Sequence, residues 1–537
     1  MTRLAEWTML AHGWRRFLLL LVAGAVAALS IPPLFILPAL FVTFPLWVWA
    51  LDGAERRTGL QRIFGPAFGI GFAFGWGYFT VAFHWLGAAF MLEGGLYLIP
   101  MPFAILALAA LIALFWGLAS ALAHLCWSHG AWRIVTLAAF LAAAEYARGT
   151  LFSGFPFDLL GYALTPTPEM MQLASIVGVY GLTLLAALLA MTPALIWPAD
   201  GRGMPVRLIP VVLAIAALAA QIGWGNVRLN STAVTARTDI KVRMVQPVIT
   251  EHSNWAAANP PDIVTRLIDL SSAKTGPADQ GLADKTQLIW PESVFPFFMS
   301  QYPEGLARIA RMLPAAMTLL TGAPREPSAD PDEPVSANPG YNSLLAIDTN
   351  GEIVASYDKS HLVPFGEYLP FASFWKLFGI SQFVPGTNGW APGDGKRLMT
   401  PPGVPAFIAL ICYEAIFSGD LGADPQKAEF LLNISNDEWF DGSIGPAQHA
   451  HHALLRAVET GLPLLRVTNS GITFAADPLG RITDRLPQYE PGVLDVVPKN
   501  KIATTIFDRF GNWPFLGMTL LGIVLAVFTR TRRPKKA

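Results

Sequence analysis

The segment 405–416, PAFIALICYEAI, contains an uninterrupted apolar run, 407–411, that ends at Cys412. Tyr413 and Glu414 follow at once. A short run of apolar and β-branched residues such as this one predicts a strand buried in a sheet that is covered on both faces. The active sites of α/β proteins lie beyond the carboxyl ends of such strands, so the Cys412 thiol is a candidate nucleophile. The alternative is that Cys412 is one more small buried hydrophobe, since free cysteine is among the most buried residue types.

The composition of the chain indicates a membrane protein. Of the 537 residues, 53% are hydrophobic and only 14% are charged, and the mean hydropathy is +0.44. Soluble globular proteins carry about 25% charged residues. The net charge of −1 gives no reason to expect a nucleic-acid partner. The two cysteines, Cys126 and Cys412, lie in an apolar and a polar part of the chain, so we expect no disulfide between them.

Apolar segments predict a multi-pass α-helical membrane domain of about eight spans, seven before residue 230 and one near the C-terminus. The predicted spans are 17–31, 33–51, 65–92, 99–126, 133–152, 170–198, 206–226 and 511–529. Pro32 and Pro33 separate the first two spans. The first span is not expected to be a cleaved signal peptide, because no small-residue cleavage site follows it and another span comes immediately.

Basic residues in the short loops predict the orientation of these spans. They lie before span one, after the second, fourth and sixth spans, and after span eight. These residues are Arg3, Arg15, Arg16, Arg56, Arg57, Arg62, Arg133, Arg202, Arg207, Arg530, Arg532, Arg533, Lys535 and Lys536. An eight-span arrangement puts all of them on one side of the membrane. We therefore expect both termini to be cytoplasmic and the long segment 228–509 to lie outside, in the periplasm or its equivalent.

Two polar or aromatic features of the spans have alternative interpretations. Glu145 and Arg148 are one helical turn apart, which predicts either an intrahelical ion pair or a role in contacting substrate. The segment 154–162, GFPFDLLGY, and the neighbours His84 and Trp85 are expected at the outer surface, where an interfacial aromatic belt explains them.

Segment 228–509 has the pattern of one α/β domain with a buried sheet, because charged residues return and short apolar strands alternate with helices. The predicted strands are 240–246, 287–290, 316–321, 343–348, 352–357, 406–412, 429–434 and 463–468, and the predicted helices are 260–274, 303–312 and 446–460. The Pro- and Asp-rich segment 324–340 is predicted to be a surface loop. The chain is thus divided into a transmembrane domain (1–227), an extramembrane domain (228–509) and a closing span with a basic tail (510–537).

Three reactive side chains of the extramembrane domain each follow a predicted strand. They are Glu292 in WPES, Lys359 in YDKSHLVPFGEYLP and Cys412 in ICYE. A carboxylate can remove the thiol proton, and a nearby lysine favours the thiolate and stabilises the oxyanion of an acyl intermediate. Singly, each residue has a structural alternative: a helix cap for Glu292, a solvated loop charge for Lys359 and a small buried hydrophobe for Cys412. The neighbouring Glu414 could pair with an arginine.

Together these residues resemble the nitrilase, or carbon–nitrogen hydrolase, superfamily. The sequences WPES, YDKSHLVPFGEYLP, ICYE, SNDEWF and RAVETGLPLLRVTNSG resemble the apolipoprotein N-acyltransferase family in particular. The layout of seven spans, one outward domain and one closing span is similar to that family as well, so the resemblance covers essentially the whole chain. It implies that the extramembrane domain is a nitrilase-like α-β-β-α sandwich.

The resemblance also implies a reaction with a Glu-Lys-Cys triad. Cys412 takes an acyl chain from a membrane phospholipid, with Glu292 as general base and Lys359 at the oxyanion, and holds it as a thioester. The α-amine of the N-terminal S-diacylglyceryl-cysteine of an apolipoprotein then accepts the chain as an amide, in the last step of lipoprotein maturation. The implied location is the bacterial inner membrane. We expect no cofactor and a monomer.

Three further residues match positions of the family motifs. Glu367 and Glu414 are expected to orient Lys359 or the loops of the active site. Tyr413 is expected to shape the pocket.

Two tryptophans and a group of histidines complete the candidate residues. Trp255, which aligns with a tryptophan in a mobile loop of the family, and Trp439 in SNDEWF are candidate substrate-binding residues. His449, His451 and His452 do not share one helical face and have no suitably spaced carboxylate, so we expect no metal site.

Two rival functions fit parts of this pattern. A membrane-anchored nitrilase-type amidase would need only one span as an anchor. A lipid-binding or transport protein without catalysis would not need Glu292, Lys359 and Cys412 together. The substitution Cys412→Ser separates the classes, since either enzyme would lose activity and a transporter would keep its flux.

Overall fold

The computed structural model describes residues 1–55, 57–128, 130–198, 203–249, 260–327, 340–373, 377, 389–422 and 424–530. The chain divides into two compact units. The first comprises Met1–Ser231, Gly442–Ile444 and Thr505–Ala537, and the second comprises Thr232–Asp441 and Gly445–Thr504.

The first unit is built from α-helices. Those before residue 232 are α1 (Thr2–Leu10), α2 (Gly13–Ala27), α3 (Pro38–Asp52), α4 (Pro66–Ala82), α5 (Gly87–Glu93), α6 (Met101–Leu125), α7 (Trp132–Thr150), α8 (Pro168–Met171), α9 (Ala174–Met191) and α10 (Met204–Ser231). Each predicted apolar segment up to residue 226 contains one or more of these helices.

Within the described residues, four helices are long and apolar enough to cross a membrane. They are Gly13–Ser30, Met101–Leu125, Ala174–Leu195 and Met204–Ser231. A fifth results if Pro66–Ala82 and His84–Leu92, which are bent by 49° at a short break, form one span. Pro38–Asp52 and Trp513–Thr529 are shorter apolar helices. The multi-pass helical character is confirmed, and the number of eight spans remains a prediction.

Glycines allow α2 and α4 to pack backbone against backbone. A Cβ atom added at Gly24 would lie 1.8 Å from the carbonyl oxygen of Phe74. One added at Gly77 would lie 1.8 Å from the carbonyl oxygen of Leu21. Helices in membranes approach most closely at such small residues, because dispersion contacts replace the hydrophobic effect there. The two glycines therefore fix the spacing of these helices.

Glu145 and Arg148 form a fully buried ion pair on α7. Arg148 donates from Nε to Glu145 Oε1 (2.6 Å) and from Nη2 to Oε2 (2.9 Å), and Trp116 Nε1 donates to Oε1 (2.7 Å). Arg148 Nη1 also donates to the carbonyl oxygens of Phe155 (2.6 Å) and Phe157 (3.0 Å). The structure therefore favours the ion-pair interpretation, and it adds a role in satisfying the non-helical backbone that follows α7.

The substitution Arg148→Met should destabilise the first unit by about 3 kcal/mol or more, because it leaves a buried carboxylate without its charge partner and removes the donor to two carbonyl groups. The midpoint of thermal unfolding of the full-length protein in detergent micelles, followed by tryptophan fluorescence, would measure this. The matched control is Arg62→Met at an exposed position. An Arg148→Met midpoint equal to that of the control would contradict the structural role.

Two six-stranded sheets form the second unit. The strands of the first sheet are β1 (Val242–Gln246), β2 (Gln287–Ile289), β3 (Thr318–Arg325), β4 (Tyr341–Ile347), β5 (Ile353–Asp358) and β12 (Gly492–Val496). Those of the second are β6 (Leu398–Met399), β7 (Phe407–Ile411), β8 (Phe430–Ser435), β9 (Leu464–Thr468), β10 (Phe474–Ala476) and β11 (Ile482–Arg485). The strand orders are β12-β1-β2-β3-β4-β5 and β11-β10-β9-β8-β7-β6. The central strands β1-β2-β3 and β7-β8-β9 are parallel, and the other neighbours are antiparallel.

The main core of this unit lies between the two sheets. In β7, Phe407, Ala409 and Ile411 alternate into it and meet side chains of the first sheet such as Met244 and Ile289. This alternation follows from the pleat, which sends every second side chain to the same face.

Helices cover the outer faces. α11 (Pro260–Ser272) and α12 (Pro303–Met312) bury Val264, Leu267 and Ile309 against Leu288 and Leu319 of the first sheet. The helix α13 (Gly445–Thr460) packs against β9 of the second sheet. The α-β-β-α sandwich implied by the family resemblance is therefore confirmed, and the buried sheet that strand–helix alternation indicated is one of two. The chain then continues with α14 (Ile506–Phe510) and α15 (Trp513–Thr529), which belong to the first unit.

Every predicted strand and helix of this segment has a counterpart, but β6, β10, β11 and β12 were not predicted. All four residues of β11 are exposed and β6 has two residues, so neither carries a hydrophobic pattern. Pro324 and Arg325, predicted as loop, continue β3. Residues 328–339 of that predicted loop lie outside the described residues, as do Arg56, Arg202 and the basic tail after Arg530.

Candidate active site

Cys412 follows the last residue of β7 and begins a 3₁₀ turn, Cys412–Ile416. Its φ of +48° lies in the left-handed region, which non-glycine residues rarely adopt. The Glu414 carboxylate accepts a hydrogen bond from the backbone N–H of Ile411 (2.8 Å), immediately before the cysteine. The candidate nucleophile therefore stands in a strained backbone conformation at the carboxyl end of a buried strand.

Glu292 is placed by the end of β2. A Cβ at Gly322 of β3 would lie 2.5 Å from the Glu292 Cα, so only glycine lets the two segments approach this closely. Glu292 is buried, and its Oε1 accepts from Asn342 Nδ2 (2.8 Å) while its Oε2 accepts from the backbone N–H of Asn436 (2.8 Å). Each carboxylate oxygen has further lone pairs, so the fixed carboxylate can still accept a proton.

Lys359 follows the last residue of β5 and is 1% exposed. Its Nζ donates to Glu367 Oε1 (2.9 Å) and lies 3.5 Å from Glu292 Oε1. Burial lowers the pKa of this amine, but the charges of Glu367 and Glu292 outweigh burial and hold the pKa above its ordinary value. Lys359 is therefore an ammonium ion in the protein interior, available to stabilise negative charge.

The pKa of the Cys412 thiol depends on its burial and on the charges of Glu292 and Lys359. Burial raises its pKa most, the carboxylate of Glu292 raises it further, and the ammonium of Lys359 lowers it. The net pKa lies above the ordinary value, so the thiol is protonated at neutral pH. Glu292, Lys359 and Cys412 thus form one electrostatic group, in which the thiol proton must be removed before or during any attack by sulfur.

Glu414 connects the ends of β5 and β7. Its Oε1 accepts from Tyr357 Oη (2.8 Å), from the Ser360 N–H (2.9 Å) and from Ser360 Oγ (2.8 Å), while Oε2 accepts from the Ile411 N–H. The residues on both sides of Lys359 are therefore tied to the turn that carries Cys412.

The other predicted residues are placed as follows. Glu367 contacts the Lys359 ammonium directly, and its second oxygen accepts from the N–H of Val363 (2.8 Å). Tyr413 is buried, and its ring packs edge-on against Phe417. Trp439 is half-buried in the 3₁₀ turn Glu438–Phe440. Trp255 lies outside the described residues.

Asn342 was not predicted, although it contacts Glu292, Glu367 and the backbone of Lys359. Its side-chain Nδ2 donates to Glu292 Oε1 (2.8 Å) and to Glu367 Oε1 (3.1 Å), and its backbone carbonyl oxygen accepts from the backbone N–H of Lys359 (2.8 Å). The signal available in the sequence is a pair of polar residues, Asn342 and Ser343, at the start of the mainly apolar strand β4, YNSLLAI. A buried polar side chain in such a strand needs partners, and here the partners are the two carboxylates.

A second unpredicted group is centred on the buried side chain of Asp437. Its Oδ2 accepts from Arg466 Nη2 (2.7 Å), and its Oδ1 accepts from Ser435 Oγ (2.8 Å) and lies 3.0 Å from His449 Nδ1. Burial raises the pKa of Asp437, but Arg466 and His449 lower it more, and the net pKa is below its usual range. The other ring nitrogen of His449, Nε2, lies 2.9 Å from the Cys412 carbonyl oxygen. Among the described residues, no group of His, Cys, Asp and Glu has the arrangement of a metal site.

The raised pKa of the Cys412 thiol predicts a particular pH dependence of alkylation. Below the pKa, the reactive thiolate fraction rises about tenfold per pH unit. Alkylation of Cys412 by iodoacetamide, measured on its peptide by mass spectrometry, should therefore still be rising about tenfold per pH unit at about pH 9.5, where the cysteine of an unstructured reference peptide, with an ordinary pKa of about 8.5, has nearly levelled off. If the alkylation rate of Cys412 levelled off at a lower pH than that of the reference thiol, the Cys412 thiolate would be stabilised instead.

Comparison with known proteins shows the family of the chain. Two family models match the chain, one described as the apolipoprotein N-acyltransferase N-terminal domain at residues 23–192 and one as carbon-nitrogen hydrolase at residues 288–498. An amidase from Nesterenkonia sp. with a solved structure matches at 15% identity and a TM-score of 0.34, over 54% of this chain and 98% of that one.

Relatives match along nearly the whole sequence. The chain is 40% identical over 539 residues to the apolipoprotein N-acyltransferase of Agrobacterium fabrum, covering 99% of this chain and 100% of that protein. It is 37% identical over 534 residues to that of Rhodopseudomonas palustris, covering 99% and 98%. With these full-length matches, and with apolar helices preceding a carbon–nitrogen hydrolase domain, the chain is a bacterial membrane protein that belongs to the apolipoprotein N-acyltransferase family.

Proposed function

We propose that this protein transfers an acyl chain from a membrane phospholipid to the α-amine of the N-terminal S-diacylglyceryl-cysteine of apolipoproteins, in two steps through a thioester on Cys412. The observation that carries the proposal is the single electrostatic group formed by the half-buried Cys412 and the buried Glu292 and Lys359 in a member of this family. A thiol, a carboxylate and an ammonium ion are together the nucleophile, base and oxyanion partner that acyl transfer requires.

In the first step, Cys412 Sγ attacks the ester carbonyl carbon of the phospholipid while its proton passes to Glu292. Because the thiol pKa is raised, proton removal accompanies the attack rather than preceding it. The Lys359 ammonium stabilises the oxyanion of the tetrahedral intermediate. The ester C–O bond then breaks, the leaving glycerol oxygen takes the proton from Glu292, and the lysophospholipid departs.

In the second step, the α-amine of the acceptor attacks the thioester carbonyl and gives a proton to Glu292. Lys359 again stabilises the oxyanion, and the C–S bond breaks. The departing sulfur recovers the proton from Glu292, so the triad returns to its starting state and the product is an amide.

Neighbouring residues keep the triad in place in this proposal. Glu367 holds the Lys359 ammonium, and Asn342 bridges Glu367 to Glu292. Glu414 ties the Lys359 segment to the Cys412 turn. Tyr413, Trp255 and Trp439 are proposed to shape the substrate site.

The proposal includes the location and extent of the catalytic domain. Residues 228–509 form the proposed catalytic domain on the periplasmic side of the inner membrane, between membrane segments 1–227 and 510–537, with both termini cytoplasmic. The distribution of basic residues in the predicted short loops supports this orientation. The proposed acting form is a monomer, and the proposed reaction uses no cofactor.

Incubation with phospholipid vesicles alone should produce a hydroxylamine-labile acyl adduct on the Cys412 peptide, detected by mass spectrometry. The adduct should disappear when a diacylglyceryl-cysteine peptide is added, and an N-acylated peptide should appear. Cys412→Ser should abolish N-acylation, whereas the matched control Cys126→Ser should retain it. An unmodified Cys412 in folded protein would reject the thioester, and loss of the adduct to water without N-acylated peptide would indicate an amidase-like hydrolase.

The substitution Glu292→Gln separates the role of a base from that of a structural charge. Acylation of Cys412 should fall by about 10²–10⁴-fold, because the proton acceptor is lost. Alkylation of Cys412 by iodoacetamide at pH 8 should not fall, because the Glu292 charge raises the thiol pKa and its removal lowers it. Glu352→Gln, at an exposed position, is the control. A parallel loss of both reactions would argue for a disrupted site instead.

A further inference from the structure

We propose that His449 is a positioning residue, which holds Cys412 in its reactive backbone conformation by donating a hydrogen bond from Nε2 to the Cys412 carbonyl oxygen. The inference deepens the proposed acyl transfer and rests on it. It concerns a histidine that lies on α13, far from Cys412 in sequence, with Nε2 2.9 Å from that oxygen.

The conformation of Cys412 needs support on both sides. Its φ of +48° is left-handed, and such a conformation costs about 1–2 kcal/mol in a residue with a side chain. It persists only where the surroundings determine it fully. On the N-terminal side, Glu414 accepts from the Ile411 N–H. On the C-terminal side, the His449 contact fixes the carbonyl group of Cys412 and with it the orientation of the peptide to Tyr413.

The imidazole is itself rigidly held. His449 Nδ1 lies 3.0 Å from Asp437 Oδ1, and Asp437 is anchored by Arg466 (2.7 Å) and by Ser435 (2.8 Å). All four side chains are buried. The Cys412 carbonyl oxygen can only accept, so Nε2 is the donor in that contact, while Nδ1 lies 3.0 Å from Asp437 Oδ1 and 3.3 Å from Arg466 Nη2. The Asp437 group therefore sets the place of the Nε2 donor.

Loss of this donor should displace the sulfur. Without it, Cys412 can rotate about its N–Cα bond toward a negative φ, which swings both its carbonyl group and its Cα–Cβ bond and moves Sγ relative to Glu292 and Lys359. A displacement of about 1 Å in a reacting group can reduce a rate about 100-fold. The effect belongs to the rate of acylation and not to phospholipid affinity, because His449 contacts the backbone of the nucleophile and not the substrate in this arrangement.

Two amide substitutions separate the contributions of the two ring nitrogens. In His449→Gln the side-chain amide nitrogen takes the place of Nε2 and can reach the Cys412 carbonyl. In His449→Asn the shorter side chain takes the place of Nδ1 and can donate only toward Asp437. Both variants are polar and uncharged, so they differ mainly in the hydrogen bond under test.

The measurement is the single-turnover acylation of Cys412 in the full-length protein, with phospholipid vesicles at several concentrations. A second acyl donor, p-nitrophenyl hexanoate, releases a burst of p-nitrophenolate when it acylates Cys412. The release measured with the Cys412→Ser variant is subtracted as background. His449→Asn should lower the maximal acylation rate about 10–100-fold with both donors and leave the half-saturating phospholipid concentration within about threefold. His449→Gln should restore the rate to within about threefold of the unsubstituted protein.

The outcomes separate this inference from the proposed function. Equal rates for His449→Asn and the unsubstituted protein would overturn the inference. A slow His449→Gln variant with an unchanged thermal unfolding midpoint would overturn it as well. This second result can be obtained even if the His449→Asn protein does not fold. An ester burst without acylation by phospholipid would reject the proposed acyl donor, while the comparison of the two variants on the ester would still decide the role of His449.

Discussion

The site depends on the pairing of the buried Lys359 ammonium with two carboxylates. A charge in the interior is strongly unfavourable unless opposite charges surround it, and Glu367 and Glu292 provide them at 2.9 Å and 3.5 Å. These two carboxylates in turn require Asn342, which donates to both. Because each of these groups satisfies another, none can move alone. The proposed oxyanion partner is therefore preorganised before any substrate arrives, which is the property that makes electrostatic stabilisation effective.

Carboxylates also join the two sheets at this end of the sandwich. Glu292 follows β2 of the first sheet and accepts from the Asn436 N–H, which follows β8 of the second. Glu414 follows β7 of the second sheet and accepts from Tyr357 and Ser360, at the end of β5 of the first. The apolar core holds the sheets face to face, but it has no directional preference. The charged hydrogen bonds supply the direction, and they fix the relative positions of the strand ends that carry the triad.

The sequence predicted the strands that contain apolar runs of four or more residues or β-branched alternation, and the three reactive residues that follow such strands, since these patterns are local. The buried strand β10 was missed because it has only three residues. It did not predict Asn342 or the group of Ser435, Asp437 and Arg466, because their partners are distant in sequence and become neighbours only when the strands pair. Their only signal was polarity within a buried strand or directly after one. The strand β11 was missed for the opposite reason, because it is fully exposed and has no apolar pattern.

The raised pKa of the Cys412 thiol bears on both steps of the proposed reaction. In acylation it keeps the sulfur protonated at neutral pH until Glu292 removes the proton, which limits unproductive reaction with other electrophiles. In deacylation it makes the sulfur a poorer leaving group, since thiols of higher pKa leave more slowly. The thioester then reacts slowly with water, a weak nucleophile, and faster with an amine whose proton Glu292 can accept. In the proposed reaction, this burial effect on the nucleophile thus favours transfer to an amine over hydrolysis.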